Sequence, residues 1–229
     1  MNNIDSRIIT FLSVMFKECS KEQIRTANSS FLRANIGKAC QATGIKRVIL
    51  TDGASKRCLI FHNCGVVVKW SYYSPGGKDS FIDESFEEFT IYQDAIENGV
   101  EMFFPETKVL AEINGIPFIL QEKVSVTYSE LQNFHLNKFD KINRTTKEKV
   151  VEKIQNDVRY AAECSGAGRA RNISSFWTKT ALSIYGKKKM KNFTNFLLKH
   201  GINDLHNGNI GYIKKRPVVL DFSGYKRDA

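Results

Sequence analysis

The first part of the chain has apolar positions spaced as in an amphipathic helix. Ile8, Leu12, Met15 and Phe16 share one helical face, because Leu12 lies four residues after Ile8, and Met15 and Phe16 lie three and four residues after Leu12. This pattern predicts helix from residue 6 to about residue 42. Such a face indicates an amphipathic helix that packs against a core.

The pattern changes at Lys46, where the spacing becomes that of strands. The segment "RVILTDGASKRCLIFHNCGVVVKWSYY" is rich in β-branched and aromatic residues and has two turn signals, which predicts three strands. Residues 80–99 predict a helix that ends at Asn98-Gly99. A second hairpin is predicted to turn at Asn114-Gly115. Residues 46–124 therefore predict strand, strand, strand, helix, strand, strand.

The remainder of the chain is predicted to be mainly helical until a terminal hairpin. The predicted helices are roughly 129–136, 145–163, 174–184 and 191–200, and the hairpin strands are Ile210 to Ile213 and Val218 to Leu220. The fold class is therefore α+β. We divide the chain into a helical extension (1–42), a sheet-rich part (43–124) and a helical part with the hairpin (125–229).

Charge and composition narrow the classes of function. The 229 residues carry a formal net charge of +10, and Ile184 to Arg216 holds eight Lys and Arg residues against one Asp. Such a surface favours acidic or phosphate-bearing partners. Nucleic acid is a weaker expectation, because no nucleic-acid motif or regular interleaving of aromatic residues accompanies the charge. No apolar run approaches the about 18 residues of a membrane span, and the five cysteines lack a CxxC spacing. These features predict a cytoplasmic protein without a membrane segment.

Oxygen-bearing side chains cluster around the terminal hairpin. A hairpin returns the chain to its starting end, so Asn209 and Asp221 are expected at the same open end. Asp204 lies five residues before Asn209, on the loop that enters the first strand. Carboxylate and amide oxygens without His or Cys suit Mg²⁺. Asp and Asn are also common in turns and caps, so this simpler interpretation stays open.

These residues carry a resemblance to a known family. The segment from Asp204 to Asn209 (DLHNGN), the hairpin and the segment from Asp221 to Gly224 (DFSG) resemble the catalytic and metal loops of the protein-kinase-like superfamily, with the pattern D-x-x-x-x-N, hairpin, D-F-G. DLHNGN is also similar to aminoglycoside-kinase-type phosphotransferases and to small phage or bacterial kinase-like proteins. The resemblance implies a bilobal fold, Asp204 as catalytic base, and Asn209 and Asp221 as ligands of Mg²⁺ on ATP.

The resemblance requires a lysine on the third strand and a glutamate on the following helix. Lys69 lies in "VVVKW", where an amine among apolar residues is costly unless it faces a partner. Ile82, Phe86, Phe89, Tyr92 and Ile96 define the predicted apolar stripe of the helix. That stripe places Glu88 at its edge, so we expect Glu88 to pair with Lys69. Glu84 is the second choice, and Glu87 falls nearly opposite the stripe. The alternative is that all three glutamates are solvated.

The other nucleotide contacts have weaker signals. The family's G-x-G-x-x-G is absent, so the backbone of Gly53, Ala54 and Ser55 either covers the phosphates or forms an ordinary hairpin turn. Glu122 and Val124 match, by order in the chain, the linker whose backbone would bond adenine. Ile202-Asn203-Asp204 replaces the family's H-R-D. The helical lobe is expected to be truncated, because only five residues follow Gly224.

The resemblance therefore predicts an ATP- and Mg²⁺-dependent phosphotransferase. The expected form is a minimal Ser/Thr protein kinase that acts on an acidic or phosphorylated protein. Three alternatives remain: a pseudokinase-like inhibitor or scaffold, a small-molecule kinase, and a nucleic-acid-binding module suggested by charge alone. The expected location is the cytoplasm, or the host cytoplasm for a phage protein or bacterial effector.

Overall fold

A computed structural model describes most of the chain, in two compact units. The residues described are 3–53, 55–72, 83–125, 149, 152–153, 156–157, 174–202, 205 and 208–223. The first unit contains Met1–Thr90 and Glu106–Lys123, and the second contains Ile91–Pro105 and Val124–Ala229. The helix predicted at 129–136 and most of the helix predicted at 145–163 lie outside the described residues.

Three helices open the first unit. They are α1 (Asn3–Met15), α2 (Lys21–Thr26) and α3 (Ser29–Thr43). Ser20 and Gln23 form a capping box at the start of α2, and Asn28 caps α3 through its side chain. The prediction of helix from residue 6 to about residue 42 is confirmed, with two short breaks.

A five-stranded antiparallel sheet follows, with one helix inserted after its third strand. The elements are β1 (Val48–Asp52), β2 (Lys56–Phe61), β3 (Val66–Ser71), α4 (Glu84–Glu97), β4 (Thr107–Ile113) and β5 (Ile116–Glu122). The strand order is β1-β2-β3-β5-β4, and the protein is thus α+β. Asn114 and Gly115 both have positive φ, at 52° and 74°, as a two-residue hairpin turn requires. The predicted succession of strands and helix is confirmed.

The two faces of the sheet have different chemistry because successive side chains on a strand alternate between them. One face is apolar and packs against α1, α2 and α3. Its Trp70 ring lies 5.8 Å from Phe16 of the helical layer and 5.6 Å from Phe118 of β5. The other face carries Lys69 and Gln121, both buried.

Helix α4 buries a different face from the predicted one. Phe86 and Ile96, both assigned to the apolar stripe, are 44% and 47% exposed. The buried positions are Ser85, Glu88 and Ala95, with Ile91 also buried, at spacings of three and four residues. The stripe was therefore wrong. A glutamate occupies the centre of the buried face, which pattern reasoning reserves for apolar residues.

In the second unit a long helix packs against the terminal hairpin. The helix, α5 (Ser175–His200), is interrupted at Gly186, which has φ 77° and ψ 167°. Two helices were predicted here with a linker between them, but the break is a single residue. The hairpin consists of β6 (Ile210–Ile213) and β7 (Arg216–Val219). It is confirmed, although β7 begins two residues earlier than predicted.

Aromatic residues form the core of the second unit. Phe103 stacks on Phe193 of α5 at 4.2 Å between ring centroids. The indole N–H of Trp177 donates to the carbonyl of Val218, and this bond attaches the hairpin to α5. None of the helices that the structure describes is long and apolar enough to cross a membrane.

The break in α5 gives a test of the fold. Gly186 occupies a backbone region that is essentially restricted to glycine, so Gly186→Ala should lower the free energy of unfolding by roughly 1–3 kcal/mol. Gly37 lies inside α3, and a Cβ there would meet open space. Gly37→Ala should instead raise the free energy of unfolding by about 0.5–1 kcal/mol. Urea unfolding measures both, and equal effects of the two substitutions would contradict the described break.

Candidate functional site

Lys69 lies on the third strand and is buried against helix α4. Its neighbours in the sheet are Cys58 of β2 and Ile119 of β5, and only 8% of the residue is exposed. Its Nζ lies 2.8 Å from Oε2 and 3.2 Å from Oε1 of Glu88, which has no exposed surface. The predicted ion pair is present. The nucleotide-binding roles of the two residues stay predictions.

Two further side chains bind the same carboxylate, and the sequence analysis missed both. Lys56 Nζ lies 2.9 Å from Oε1 of Glu88, and the side-chain amide of Gln121 donates to Oε2 at 2.8 Å. The same amide nitrogen of Gln121 also donates to the hydroxyl of Thr107 at 3.1 Å. A signal existed for Lys56: in β2 it has the same alternation as Cys58, which is paired with Lys69. The side chains of Lys56, Cys58 and Lys69 therefore lie on one face of the sheet.

The surrounding charges determine the protonation of Glu88. Burial alone would raise the pKa of this carboxyl. The positive charges of Lys56 and Lys69, together with their hydrogen bonds, outweigh that effect and lower the pKa from 4.5 to about 2. Glu88 is thus an anion at neutral pH despite its complete burial. The cluster is a buried, ionised and hydrogen-bonded group rather than a surface salt bridge.

The start of α4 is fixed to the end of β3 by two polar side chains, those of Ser71 and Asp83. Ser71 Oγ donates to Oδ1 of Asp83 at 2.9 Å and accepts from the backbone N–H of Ser85 at 2.9 Å. The backbone N–H of Phe86 donates to Asp83 at 3.1 Å, which caps the helix. Because the first turn is held in this way, Glu88 faces the sheet one turn further along.

The β1–β2 turn is an ordinary closed hairpin at its base. The N–H of Gly53 donates to the carbonyl of Lys56 at 2.8 Å, so this amide is already engaged and is a poor candidate for a phosphate donor. Ala54 lies outside the described residues. Ser55 Oγ donates to Oε2 of Glu84, and the second choice for pairing with Lys69 thus has a different partner.

The predicted adenine linker begins at Glu122, the last residue of β5. The N–H groups of Glu122 and Lys123 donate to Glu106 and Gly65 at 3.2 and 2.8 Å, and they complete the sheet. Any adenine contact of Glu122 would therefore use its carbonyl rather than its N–H. The assignment of Glu122 and Val124 to adenine binding stays a prediction.

The terminal hairpin places Asn209 and Asp221 at its open end. The N–H of Leu220 donates to the carbonyl of Asn209 at 2.7 Å, directly before Asp221. Asp221 has a φ of 50°, which is uncommon outside glycine, and its Oδ1 is buried. Phe222 is fully buried and packs on Phe104 at 4.7 Å. The packing of Phe222 thus holds the backbone next to Asp221.

The fit of this end of the hairpin to Mg²⁺ depends on its donor atoms. Asn209 and Asp221 offer hard oxygen atoms, and Mg²⁺ is typically held by one or two carboxylates together with substrate phosphates. Among the described residues, no three His, Cys, Asp or Glu side chains come together as a metal site. The oxygen atoms of Asn209 and Asp221 are of the kind that Mg²⁺ takes as ligands, and the Mg²⁺ site stays a prediction. Asp204 and Gly224 lie outside the described residues.

Comparison with known proteins gives no family. Neither models of protein families, nor curated proteins, nor solved structures match this chain.

The buried carboxylate makes stability depend on pH. The pKa of Glu88 is lower in the folded chain than its ordinary 4.5, so its contribution is present above that pH and is lost as pH falls towards 2. At pH 7, Glu88→Gln should cost about 3–5 kcal/mol, because two buried ammonium groups lose their counter-charge. The difference in unfolding free energy between wild type and Glu88→Gln should shrink below pH 4.5.

Urea unfolding at pH 7, 5, 4 and 3 measures this difference. Glu112 lies exposed on β4, and Glu112→Gln should change stability by less than about 0.5 kcal/mol at each pH. A wild-type to Glu88→Gln difference that stays constant across the whole pH range would contradict the ionised, paired carboxylate.

Proposed function

We propose that this chain is an ATP- and Mg²⁺-dependent phosphotransferase with a protein-kinase-like fold, and that it acts on Ser or Thr hydroxyls of a protein. The observation that carries the proposal is the 2.8 Å ion pair between Lys69 and Glu88. Lys69 lies on the third strand and Glu88 on the next helix, as the resemblance of the terminal motifs requires. Residues 204–224 thus led to an expectation about a distant part of the sequence, and that part has the expected pair.

The burial of the pair adds weight because buried Lys and Glu are rare and costly. A fold that needed only stability would gain as much from apolar residues of similar size. Glu88 is also held by Gln121 and by a second lysine, Lys56. Such an arrangement is typical of a group that is positioned for a charged ligand.

Each residue has a role in the proposed reaction. Lys69, oriented by Glu88, neutralises phosphate oxygens of ATP. Asn209 and Asp221 would hold Mg²⁺, which would offset phosphate charge when it is bound with ATP. Asp204 accepts the proton of the acceptor hydroxyl as the hydroxyl oxygen bonds to the γ-phosphorus, and the bond from that phosphorus to ADP breaks.

The basic segment supports an acidic or phosphorylated protein as acceptor. Lys214 and Lys215 form the exposed turn between β6 and β7, and both have positive φ, at 47° and 73°. Asn-Gly would occupy such a turn with less strain. The two lysines of this turn place positive charge at the tip of the hairpin.

A catalytically silent protein-binding scaffold is the second candidate. The observation that favours it is the engaged N–H of Gly53 in a turn that lacks the family's glycines. In this case Mg²⁺-ATP would bind without phosphoryl transfer, or would not bind at all. The retained Lys69–Glu88 pair favours the enzyme.

Removal of the proposed base separates these functions. Asp204→Ala should lower transfer from labelled ATP to Ser/Thr peptides by at least about 100-fold. It should keep the thermal stabilisation by Mg²⁺-ATP, about 2.7 kcal/mol at one hundred times Kd. Peptides with Glu and Asp around the acceptor should be preferred over peptides with Lys and Arg.

Asp157 is an exposed aspartate on a helical segment, and Asp157→Ala serves as the control with unchanged transfer. Wild-type transfer that survives Asp204→Ala would overturn the catalytic assignment. Binding of Mg²⁺-ATP by a wild type that transfers nothing would favour the scaffold.

A further inference from the structure

Two adjacent residues of the β1–β2 hairpin reach two glutamates of helix α4. Ser55 Oγ donates to Oε2 of Glu84, and Lys56 Nζ lies 2.9 Å from Oε1 of Glu88. The glutamates are four residues apart, so they lie one helical turn apart on the same face. We call these two contacts the Ser55–Lys56 clip. The clip joins two consecutive residues of the hairpin, Ser55 and Lys56, to two consecutive turns of α4.

The backbone of the same two residues closes the hairpin. The carbonyl of Lys56 accepts from the N–H of Gly53 at 2.8 Å, and the carbonyl of Ser55 accepts from the N–H of Tyr72 at 2.9 Å. The hydroxyl of Tyr72 donates in turn to the carbonyl of Gly53 at 2.8 Å. The turn is therefore connected to the end of β3 through its backbone and to α4 through its side chains.

We propose that Ser55 and Lys56 are positioning residues that fix the β1–β2 turn on helix α4, next to the lysine that binds phosphate. This inference rests on the proposed function. The turn has only Gly53 where the resembled family has a glycine-rich loop. A glycine-rich loop adapts its backbone to the phosphates, whereas this turn is held by side chains in one position relative to Glu88 and Lys69.

Lys56 has a second consequence for the site. It contacts Oε1 of Glu88, whereas the shortest contact of Lys69 is to Oε2. When the ammonium group of Lys69 also contacts a phosphate, Lys56 and Gln121 remain on the carboxylate. Glu88 therefore keeps a counter-charge and its position, and Lys69 is available for the ligand without leaving a buried anion alone.

Hydrogen exchange tests the clip without any nucleotide. In Ser55→Ala/Lys56→Met, the amides of Gly53 and Tyr72 should exchange at least about tenfold faster, because their acceptors lose the side-chain attachment to α4. Ser55→Ala alone should show a smaller increase at the same two amides, and it leaves the buried charge cluster intact if the double variant folds poorly. Lys108→Met removes another ion-paired lysine of the same sheet, with Asp5 as its partner, and should leave both amides unchanged.

Kinetics test the positioning role. Lys56→Met should raise the KM for Mg²⁺-ATP by about tenfold, a larger factor than its effect on kcat, because the turn no longer holds one position. Lys56→Arg keeps the charge, and its KM should be close to that of the wild type. Lys108→Met is again the control, with unchanged KM and kcat.

The outcomes separate this inference from the proposed function. Unchanged exchange at Gly53 and Tyr72 in the double variant would overturn the clip. Faster exchange with an unchanged KM would overturn its role in nucleotide positioning. A wild-type protein that neither binds nor uses Mg²⁺-ATP would overturn the proposed function, and the exchange experiment would still decide whether the clip holds the turn.

Discussion

A carboxylate without any exposed surface has to be compensated inside the protein, and this requirement organises the first unit. Glu88 is fully buried and ionised, with Lys56, Lys69 and Gln121 on its two oxygens. These three residues come from three neighbouring strands, so the register of the sheet has to bring them to one face. A slip of one residue in β3 would turn Lys69 towards the apolar helical layer. The charge cluster thus adds to the register that the buried apolar face already specifies.

The same cluster connects structure and proposed function. Buried ion pairs contribute little net stability compared with apolar residues, but they hold charged groups in defined positions. Lys69 is held by a helix whose first turn is fixed by Asp83 and Ser71, and whose next turn carries Glu88. A phosphate-binding lysine needs such support, because an unrestrained lysine side chain has many rotamers. The preorganisation is built into the sheet and α4, before any ligand binds.

Local patterns predicted the elements well where they follow a simple period. The alternation in β1 to β5 and the Asn114-Gly115 turn gave the hairpins and their order. The expectation of a lysine–glutamate pair came from the resemblance of the terminal motifs, whereas Glu88 was chosen among the glutamates of the helix from the predicted apolar stripe. The predicted stripe failed at Phe86 and Ile96, because periodicity treats a charged residue as exposed and has no means to find a partner for it.

Other features depend on contacts that a single sequence does not reveal. Lys56 was not singled out in the sequence, and the pairing of Lys56 with Ser71 and of Cys58 with Lys69 places it on the face of Glu88. Ser55 was considered for its backbone, whereas its side chain makes the described contact with Glu84. The single-residue break at Gly186 was predicted as a longer linker, because the three lysines that follow it interrupt the apolar pattern.

Nitrogen-15 NMR of the lysine ammonium groups tests the central claim, that Lys69 is held by Glu88 for a nucleotide phosphate. Buried, ion-paired ammonium groups exchange slowly enough to give separate resonances, and Lys69→Met and Lys56→Met variants would assign them. Stepwise addition of Mg²⁺-ATP should shift the Lys69 resonance in a saturable way. A Lys69 resonance that does not move while Mg²⁺-ATP reaches cellular concentrations would contradict the account.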